Sequence, residues 1–459
     1  MILAHLLLAC ADAPVTTVAP PVAAPSATAP DLVIVGVAGL RSDPRSRSSD
    51  WFLEAFAGEK GVVFANAYAQ SPSTFVSLGS LLTGRYPSAV PLCGFPSDPD
   101  DTTAQAPWCT EVPASVPTLP GVLALYGYRT ALLTADVQGA ERLAPLFEDT
   151  IVASRRWQDR ATDWDRVRTL AEEWWNEDAT RPRLLVVAVS DLDARNVPAL
   201  RVKMGLDLAG EGGAPTRIDR ALVTTGYQQA ARSTGAATRA LVDALRGGST
   251  RPTWAAVLGT NGVNLGDASV PAQALRDRSW NDLLLDRTLH VPLALIGPPG
   301  TPPARVEEQV VELVDLLPTL LSLGGAVPPA GIPGQDLLAT PFVADPYATA
   351  YGEFGDMLTV RSGARAWSVR AFFHNRSALD PELTNFVLDY RPDAGKYALH
   401  DLVNDPFQER NLLDADPSGA RRMNDLLVKI RTGPGAPPEG ALDARRIWEL
   451  RMSPADGYW

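Results

Sequence analysis

Short, uniformly apolar segments alternate with longer amphipathic segments along most of the chain. The apolar segments predict buried strands, and their sequences are DLVIVGVAG, GVVFANAYA, YRTALLTA, RLLVVAVS, TWAAVLG and HVPLALIG. The amphipathic segments predict helices over residues 162–178, 217–246 and 308–323. Strands as uniformly apolar as these, separated by helices, are typical of a mostly parallel sheet sandwiched by helices. We therefore predict an α/β domain over residues 31–344.

The pattern changes near residue 345, where short strand candidates are separated by polar turns. Their sequences are TAYGEF, LTVRSG, RAWSVRAFF, NFVLDY and KYALHDL. Because short strands joined by turns favour antiparallel pairing, we expect a small carboxyl-terminal antiparallel α+β subdomain over residues 345–430. The tail at residues 431–459 is partly turn-rich, and its pattern assigns it to neither unit.

The first ten residues of the chain are mostly apolar and end in a cysteine. Residues 1–9, MILAHLLLA, are apolar except for His5 and far shorter than the about 20 residues that a membrane-spanning helix needs. With Cys10 they end in LLAC, which resembles the lipobox of bacterial lipoproteins, where cleavage before the cysteine leaves an acylated residue. This resemblance implies a signal segment over residues 1–9 and lipidation of Cys10. The alternative is an ordinary apolar start with a buried cysteine.

The segment after Cys10 is rich in proline and alanine. Residues 11–30 contain five prolines and no aromatic residue. Because this composition cannot build a core, residues 10–30 are expected to form an extended tether of about 3 Å per residue. An anchor followed by a tether predicts a lipoprotein of the cell envelope, bound to the membrane through Cys10 and facing the periplasm or the cell surface.

The other two cysteines, Cys93 and Cys109, lie in one loop that is rich in Pro, Asp and Gly. A disulfide between them would stabilise this short loop by about 3 kcal/mol. One lipidated cysteine and one disulfide would account for all three cysteines in an oxidising compartment, which supports export.

The charge of the chain argues against a nucleic-acid partner, and its histidine content argues against a transition-metal site. The chain of 459 residues carries 53 acidic and 41 basic side chains, a formal net charge of -12. Its basic residues do not cluster beyond pairs such as Arg155-Arg156, and phosphate neutralisation requires clustered cations, so a nucleic-acid partner is not expected. The four histidines are few for a transition-metal hydrolase, because such sites usually consume several.

Several motifs, in one consistent order, resemble a known family. NAYAQSPSTFVSLGSLLTGRYPS at residues 66–88 is similar to the nucleophile segment of sulfatases in the alkaline phosphatase superfamily. The helix-and-strand segment VPTLPGVLALYGYRTALL at residues 116–133 and the later segment LHDLVNDPFQERNLL at residues 399–413 are also similar. Between them, VPLALIGPPG, VVELVDLLPTLLSLGG and GIPGQDLL match in turn. The resemblance spans about residues 31–430 and implies an alkaline phosphatase/sulfatase-like fold.

This resemblance implies a metal site that the sequence does not carry. Members of the family hydrolyse sulfate, phosphate or phosphonate esters with divalent cations held by carboxylates and histidines. Here Ala38 and Gly39 follow the first strand where aspartates are expected, and Thr260 and Asn261 replace an Asp-His pair. Trp280 stands where a later histidine is expected. We therefore expect no metal cofactor.

The nucleophile position of the family corresponds to Thr74. Threonine is a nucleophile in the transferase and phosphonate-hydrolase branches, whereas the motif required for formylglycine is absent, because Phe75, Val76, Ser77 and Leu78 follow Thr74. A hydroxyl needs a base or a metal to become nucleophilic. The alternative role for Thr74 is an N-cap of the helix that contains Leu81 and Leu82, and we favour that role.

Three carboxylates near strand ends offer an alternative cation site. Asp136 follows the strand YRTALLTA, and Asp191 and Asp193 follow RLLVVAVS. Oxygen ligands of this kind suit a hard cation such as calcium, although carboxylates at strand ends are more often solvated or cap helices.

Two functions are consistent with these residues. The first is an exported, membrane-anchored pseudoenzyme, whose cleft uses Arg41, Thr260 and Asn261 to bind a small anionic or polar ligand. The alternative is a divergent sulfuric-ester or phosphoric-ester hydrolase or transferase that uses Thr74 as its nucleophile. A fold does not by itself decide between them.

Overall fold

The computed structural model of the chain describes residues 28–42, 51–90, 112–137, 139–154, 162–192, 217–263, 265, 284–339, 349–354, 357–362, 365–370, 397–405, 408 and 410–432. Most of these residues belong to two sheets and the helices that cover them. The fold expected from the sequence is confirmed in its main features.

The larger sheet has eight strands in the order β4-β3-β5-β1-β6-β7-β2-β8. Strand β7 runs antiparallel to both of its neighbours, and all other pairs are parallel. The strands are β1 (Asp31–Val37), β2 (Gly61–Tyr68), β3 (Arg129–Ala135), β4 (Asp149–Ser154), β5 (Arg183–Val189), β6 (Thr253–Gly259), β7 (His290–Ile296) and β8 (Arg305–Glu312).

Seven α-helices lie within the described residues. They are α1 (Thr74–Thr83), α2 (Leu119–Leu125), α3 (Trp164–Glu177), α4 (Arg217–Gly247), α5 (Asp286–Leu289), α6 (Leu316–Leu323) and α7 (Pro417–Thr432). In the part of the chain that these bounds cover, no helix is both long enough and apolar enough to span a membrane.

The core lies on both faces of the larger sheet. Alternate residues of β1 point to opposite sides, so Leu32 and Ile34 pack with residues of α1, α2 and α6, whereas Val33 and Val35 pack with residues of α3 and α4. Every residue of β1 is buried. Two-sided burial explains why the central strands are almost entirely apolar and could be predicted from the sequence.

The helix predicted over residues 308–323 is wrong in its first half. Residues up to Glu312 form the end of β8, which pairs in parallel with β2 at the edge of the sheet, and the helix α6 begins only at Leu316. The apolar residues of the edge strand and those of the following helix together have the spacing of one continuous amphipathic helix, which led to the wrong prediction. Strand β4 was missed because it is only half-buried and lacks a continuous apolar run.

The smaller sheet is antiparallel, as expected, and has the order β12-β11-β10-β9. Its strands are β9 (Thr349–Phe354), β10 (Met357–Ser362), β11 (Arg365–Arg370) and β12 (Tyr397–Asp401). Helix α7 packs on it through Ala420, Met423 and Leu427. The candidate strand NFVLDY lies outside the described residues.

Candidate functional site

The polar residues proposed from the sequence follow the central strands of the larger sheet. Ala38 follows β1, Asp191 lies just after β5, and Thr260 follows β6. Two main-chain hydrogen bonds join these strand ends, from Ala38 N to Val189 O at 2.8 Å and from Thr260 N to Val37 O at 3.0 Å. The carboxyl edge of a parallel sheet is the usual place for a binding cleft.

Thr74 is the first residue of α1, and its hydroxyl faces the end of β6. The N-cap role expected for Thr74 is wrong, because Ser73 occupies the N-cap position with an extended backbone, φ -96° and ψ 124°. The hydroxyl of Thr74 instead donates to Oδ1 of Asn261 at 2.7 Å. The residue therefore joins α1 to the turn after β6.

Thr260 completes a small polar cluster with these two residues. Its hydroxyl lies 3.2 Å from the Thr74 hydroxyl and 3.1 Å from Oδ1 of Asn261, while Nδ2 of Asn261 donates to the carbonyl of Gly262 at 3.0 Å. We call Thr74, Thr260 and Asn261 the hydroxyl–amide cluster. Thr260 is fully buried and Asn261 nearly so, whereas Thr74 is partly exposed. Thr74 is therefore the member of the cluster that solvent reaches most readily.

The turn that carries Thr260 and Asn261 depends on two glycines. A Cβ atom on Gly259 would lie 2.2 Å from the carbonyl oxygen of Leu40, and one on Gly262 would lie 2.1 Å from that of Arg287. Real Cβ atoms do not approach oxygen so closely, so main chain packs directly on main chain on both sides of the cluster. The sequence contains both glycines, but only the structure shows that close main-chain packing excludes a side chain at each position.

Arg41 was proposed to line the cleft, and the structure places it between two loops. Its Nη1 donates to the carbonyl of Val263 at 3.3 Å, and the side chain is buried against the ring of Tyr227, 5.7 Å from its centroid. The Tyr227 hydroxyl accepts from the Arg41 main-chain N–H at 2.8 Å and donates to the Gly39 carbonyl at 2.7 Å. Tyr227 thus fixes the loop after β1, a role that its place in the long helix α4 did not reveal.

Asp191 is held by donors of the protein itself. Its carboxylate accepts from the main-chain N–H of Thr162 and from Nε1 of Trp164, each at 3.0 Å, and from the hydroxyl of Thr234. These bonds tie the end of β5 to the start of α3 and to α4. These three hydrogen bonds give the Asp191 carboxylate a structural role, because they hold it between β5, α3 and α4.

The alternative cation site built from aspartates is not assembled among the residues that the structure describes. Asp136 has a left-handed backbone, φ 57°, and accepts a hydrogen bond from the Ser154 hydroxyl at 2.7 Å. The described ranges contain no group of three or more His, Cys, Asp or Glu side chains that could hold a metal ion. Asp193 lies outside those ranges.

The hydroxyl–amide cluster does not fit the divalent cation that the fold family implies. Zinc is held by imidazoles, thiolates and carboxylates, and sites for hard cations combine carboxylates with neutral amide or main-chain oxygens, so that at least part of the ligand set is charged or strongly donating. The cluster offers two hydroxyls and one amide, all neutral, and the Thr74 proton is directed at the amide oxygen. No catalytic step through a metal can be built on these side chains.

Several residues proposed from the sequence lie outside the described ranges. They are Cys10, Cys93, Cys109, Asp193 and Trp280. The disulfide, the lipidation and the replacement of the later histidine therefore remain predictions.

The fold is an α/β class with a mostly parallel sheet, and the hydroxyl–amide cluster lies at the carboxyl ends of its central strands, where such folds commonly bind ligands. The family model described as Sulfatase matches residues 38–326, more than half of the chain. The chain belongs to the sulfatase family, which confirms the resemblance seen in the sequence. No curated protein matches the sequence significantly.

Solved structures share this fold at low sequence identity. The sulfatase-like protein yidJ from Bacteroides fragilis is 18% identical with a TM-score of 0.65, over 89% of this chain and 97% of that one. The phosphonate monoester hydrolase of Agrobacterium radiobacter is 15% identical with a TM-score of 0.61, over 88% and 95%. A 2-O GAG sulfatase is 15% identical with a TM-score of 0.57, over 87% and 92%. At these identities the similarity establishes the fold alone.

Proposed function

We propose that this sulfatase-fold protein does not hydrolyse esters and that its cleft binds a small anionic or polar ligand. The observation that carries the proposal is the hydrogen bond of 2.7 Å from the Thr74 hydroxyl to the amide oxygen of Asn261. An amide oxygen is not a base at neutral pH, so it orients the hydroxyl without activating it. The same neutral cluster would leave the charge that develops on a transferred sulfuryl or phosphoryl group without metal stabilisation.

Binding without turnover is consistent with the groups that remain. Thr74 begins α1, a helix of 10 residues, and the first N–H groups of a helix have no partner within it. Partial positive charge at this end favours a negative or polar group nearby. The hydroxyls of Thr74 and Thr260 can donate or accept, so they suit ligand oxygens of either kind.

Metal content and turnover together test this proposal. We expect the purified full-length chain to retain no stoichiometric calcium, magnesium, manganese or zinc after dialysis. We also expect no turnover of aryl sulfate, phosphate diester or phosphonate monoester substrates above buffer. Thr74→Ala should leave that background unchanged and cost about 0.5–1.5 kcal/mol of stability through its lost hydrogen bond. Elemental analysis, substrate assays and urea unfolding measure these quantities.

A matched control is Thr169→Ala, which removes a hydroxyl from α3 that donates to the carbonyl of Asp165. A metal-dependent activity that disappears in Thr74→Ala and persists in Thr169→Ala would establish the hydrolase instead. An activity that survives both substitutions comes from another enzyme or another site. One tightly held divalent ion per chain would also contradict the proposal.

We further propose that the protein is exported and anchored through an acylated Cys10. This rests on the lipobox resemblance and on the proline-rich tether of residues 11–30. In a diderm bacterial host, mass spectrometry of the amino-terminal peptide should find an acylated Cys10, and non-reducing digestion should find Cys93 joined to Cys109. Cys10→Ser should move the protein from the detergent phase to the aqueous phase. Unchanged partitioning, or two free thiols in protein recovered from the envelope, would refute the anchor and the export argument respectively.

A further inference from the structure

A group of acidic and tyrosine side chains joins the two sheets next to the connection that carries Thr74. Glu312, the last residue of β8, accepts hydrogen bonds from the Tyr86 hydroxyl at 2.8 Å and from Nε2 of Gln70 at 3.2 Å. It also accepts from the main-chain N–H of Tyr351, in β9, at 2.8 Å. One carboxyl group thus links the larger sheet, the smaller sheet and the segment between β2 and α1.

Two further carboxylates lie in the same contact. Asp315 accepts from the main-chain N–H groups of Glu312 at 2.8 Å and Gln335 at 2.9 Å. Glu353, in β9, accepts from the Ser88 main-chain N–H at 2.6 Å and from the Tyr351 hydroxyl at 3.1 Å. Both Asp315 and Glu353 are buried.

The carboxyl group of Glu312 accepts hydrogen bonds from uncharged donors and lies near a second acidic side chain, Asp315. Within the described residues, the three groups that donate to its carboxyl are a phenol, an amide and a main-chain N–H. On β10, Arg361 lies over the Tyr68 ring, 4.5 Å from its centroid, with its Nε 3.8 Å from Asp286. On α7, residues Arg421, Arg422 and Asp425 are exposed, and the helix presents apolar side chains to the sheet.

This environment favours the protonated form of Glu312. Burial first, and then the negative charge of Asp315, raises the pKa of Glu312 to about 8. Burial and Glu312 also raise the pKa of Tyr86 well above its usual value, so the phenol stays neutral. A phenol hydroxyl both donates and accepts, so the contact between Tyr86 and Glu312 accommodates either protonation state.

We propose that Glu312 is a proton-dependent contact between the smaller sheet and the connection to α1: its protonated form holds β9 in place, and its ionised form loosens it. Loosening β9 relieves the ionised group because water reaches the carboxylate. The main-chain N–H of Glu353 donates to the Gln70 carbonyl at 2.8 Å, so the same movement frees the segment leading to Thr74.

The sign of the pH dependence follows from linkage. A Glu exposed to water titrates near pH 4.3, so the closed contact binds the proton more tightly than the open one. The closed contact therefore weakens as the pH rises from about 4 toward about 8 and changes little above that.

Amide hydrogen exchange of the full chain at pH 6 and pH 9 tests the proposal. The measured quantity is the protection factor, in which the intrinsic exchange rate is divided out. Between pH 6 and pH 9 we expect the protection factors of Tyr351 and Glu353 to fall about tenfold to a hundredfold. The protection factors of residues 183–189 in β5 should not change. Glu312→Gln should remove the pH dependence. The control Glu307→Gln, on the same strand and paired with Arg305 at 2.8 Å, should retain it.

Equal protection of β9 in the parent chain at both pH values overturns the proposal, and so does a pH dependence that survives Glu312→Gln. If that variant does not fold, Tyr86→Phe provides the second test. The hydrogen bond from the Tyr86 hydroxyl stabilises the ionised form of Glu312. Its removal should therefore raise the pKa of Glu312 and move the midpoint of the loss of protection to higher pH. An unchanged midpoint in Tyr86→Phe counts equally against Glu312.

Discussion

Asp31→Asn should lower the free energy of unfolding by about 3–5 kcal/mol, because it removes one partner of a fully buried ion pair. Asp31 begins β1, and Nη2 of Arg183, at the start of β5, lies 2.5 Å from its Oδ2. Neither side chain has any exposure to solvent. After the substitution the guanidinium would remain buried without a counter-charge, since it cannot lose its proton.

The other contacts of Arg183 explain why the side chain cannot move into solvent. Its guanidinium lies over the Trp175 ring, 4.2 Å from the centroid, and donates to the Trp175 carbonyl. The Ser249 hydroxyl donates to the same Asp31 oxygen at 2.5 Å, and the Arg183 main-chain N–H donates to Oδ1 at 2.9 Å. The pair therefore connects β1 and β5 with α3 and the segment after α4.

Urea unfolding followed by tryptophan fluorescence measures this cost. The matched control is Asp243→Asn, which removes an exposed partner 2.7 Å from Arg239 within one helix and should change stability by about 0.5 kcal/mol or less. A total stability of about 5–15 kcal/mol is usual, so the loss in Asp31→Asn is a large fraction of it. Equal midpoints for the two variants would show that the buried pair adds nothing to stability.

The parts of the fold that could be predicted from the sequence are those buried on two faces. After their first residues, Asp31 and Arg183, the central strands β1 and β5 are uniformly apolar because helices cover both sides, and that signal is local to each strand. The edge strands β4 and β8 carry polar residues on exposed sides, so neither has a continuous apolar run. β4 pairs with β3, and β8 pairs with β2. Pairing between separate segments cannot be deduced from the residues of either segment alone.

The sequence predicted which residues form the candidate site, but it did not predict the hydrogen bonds between them. Thr74, Thr260 and Asn261 were identified because each occupies a family position near the end of a strand or the start of a helix. Their mutual hydrogen bonds, over 186 and 187 residues of sequence, depend on how α1 packs against the turn after β6. The N-cap role expected for Thr74 was wrong by one position, because Ser73 is the N-cap and Thr74 is the first residue of the helix. The acceptor of the Thr74 hydroxyl, Asn261, lies in a distant loop that a local rule for helix starts does not include.

The turn that carries the hydroxyl–amide cluster gives the second large expected effect: Gly262→Ala should destabilise the protein by about 1–3 kcal/mol or more. The new methyl group would lie 2.1 Å from the Arg287 carbonyl oxygen and 2.9 Å from Cβ of Arg41. The Gly262 main-chain N–H also donates to the Thr288 carbonyl at 2.8 Å. Main chain must therefore shift, and Asn261 moves with it.

Gly226→Ala is the matched control, since a Cβ there has no heavy atom within 4 Å. This glycine lies inside α4, where alanine is the better helix former, so we expect a gain of about 0.5–1 kcal/mol. Urea unfolding of both variants gives the comparison, and opposite signs are expected. The two substitutions add the same methyl group, so the difference between them measures the close main-chain packing at the turn. If Gly262→Ala were as stable as Gly226→Ala, the turn would have room for a side chain, and packing would not explain the glycine that holds Asn261 beside Thr74.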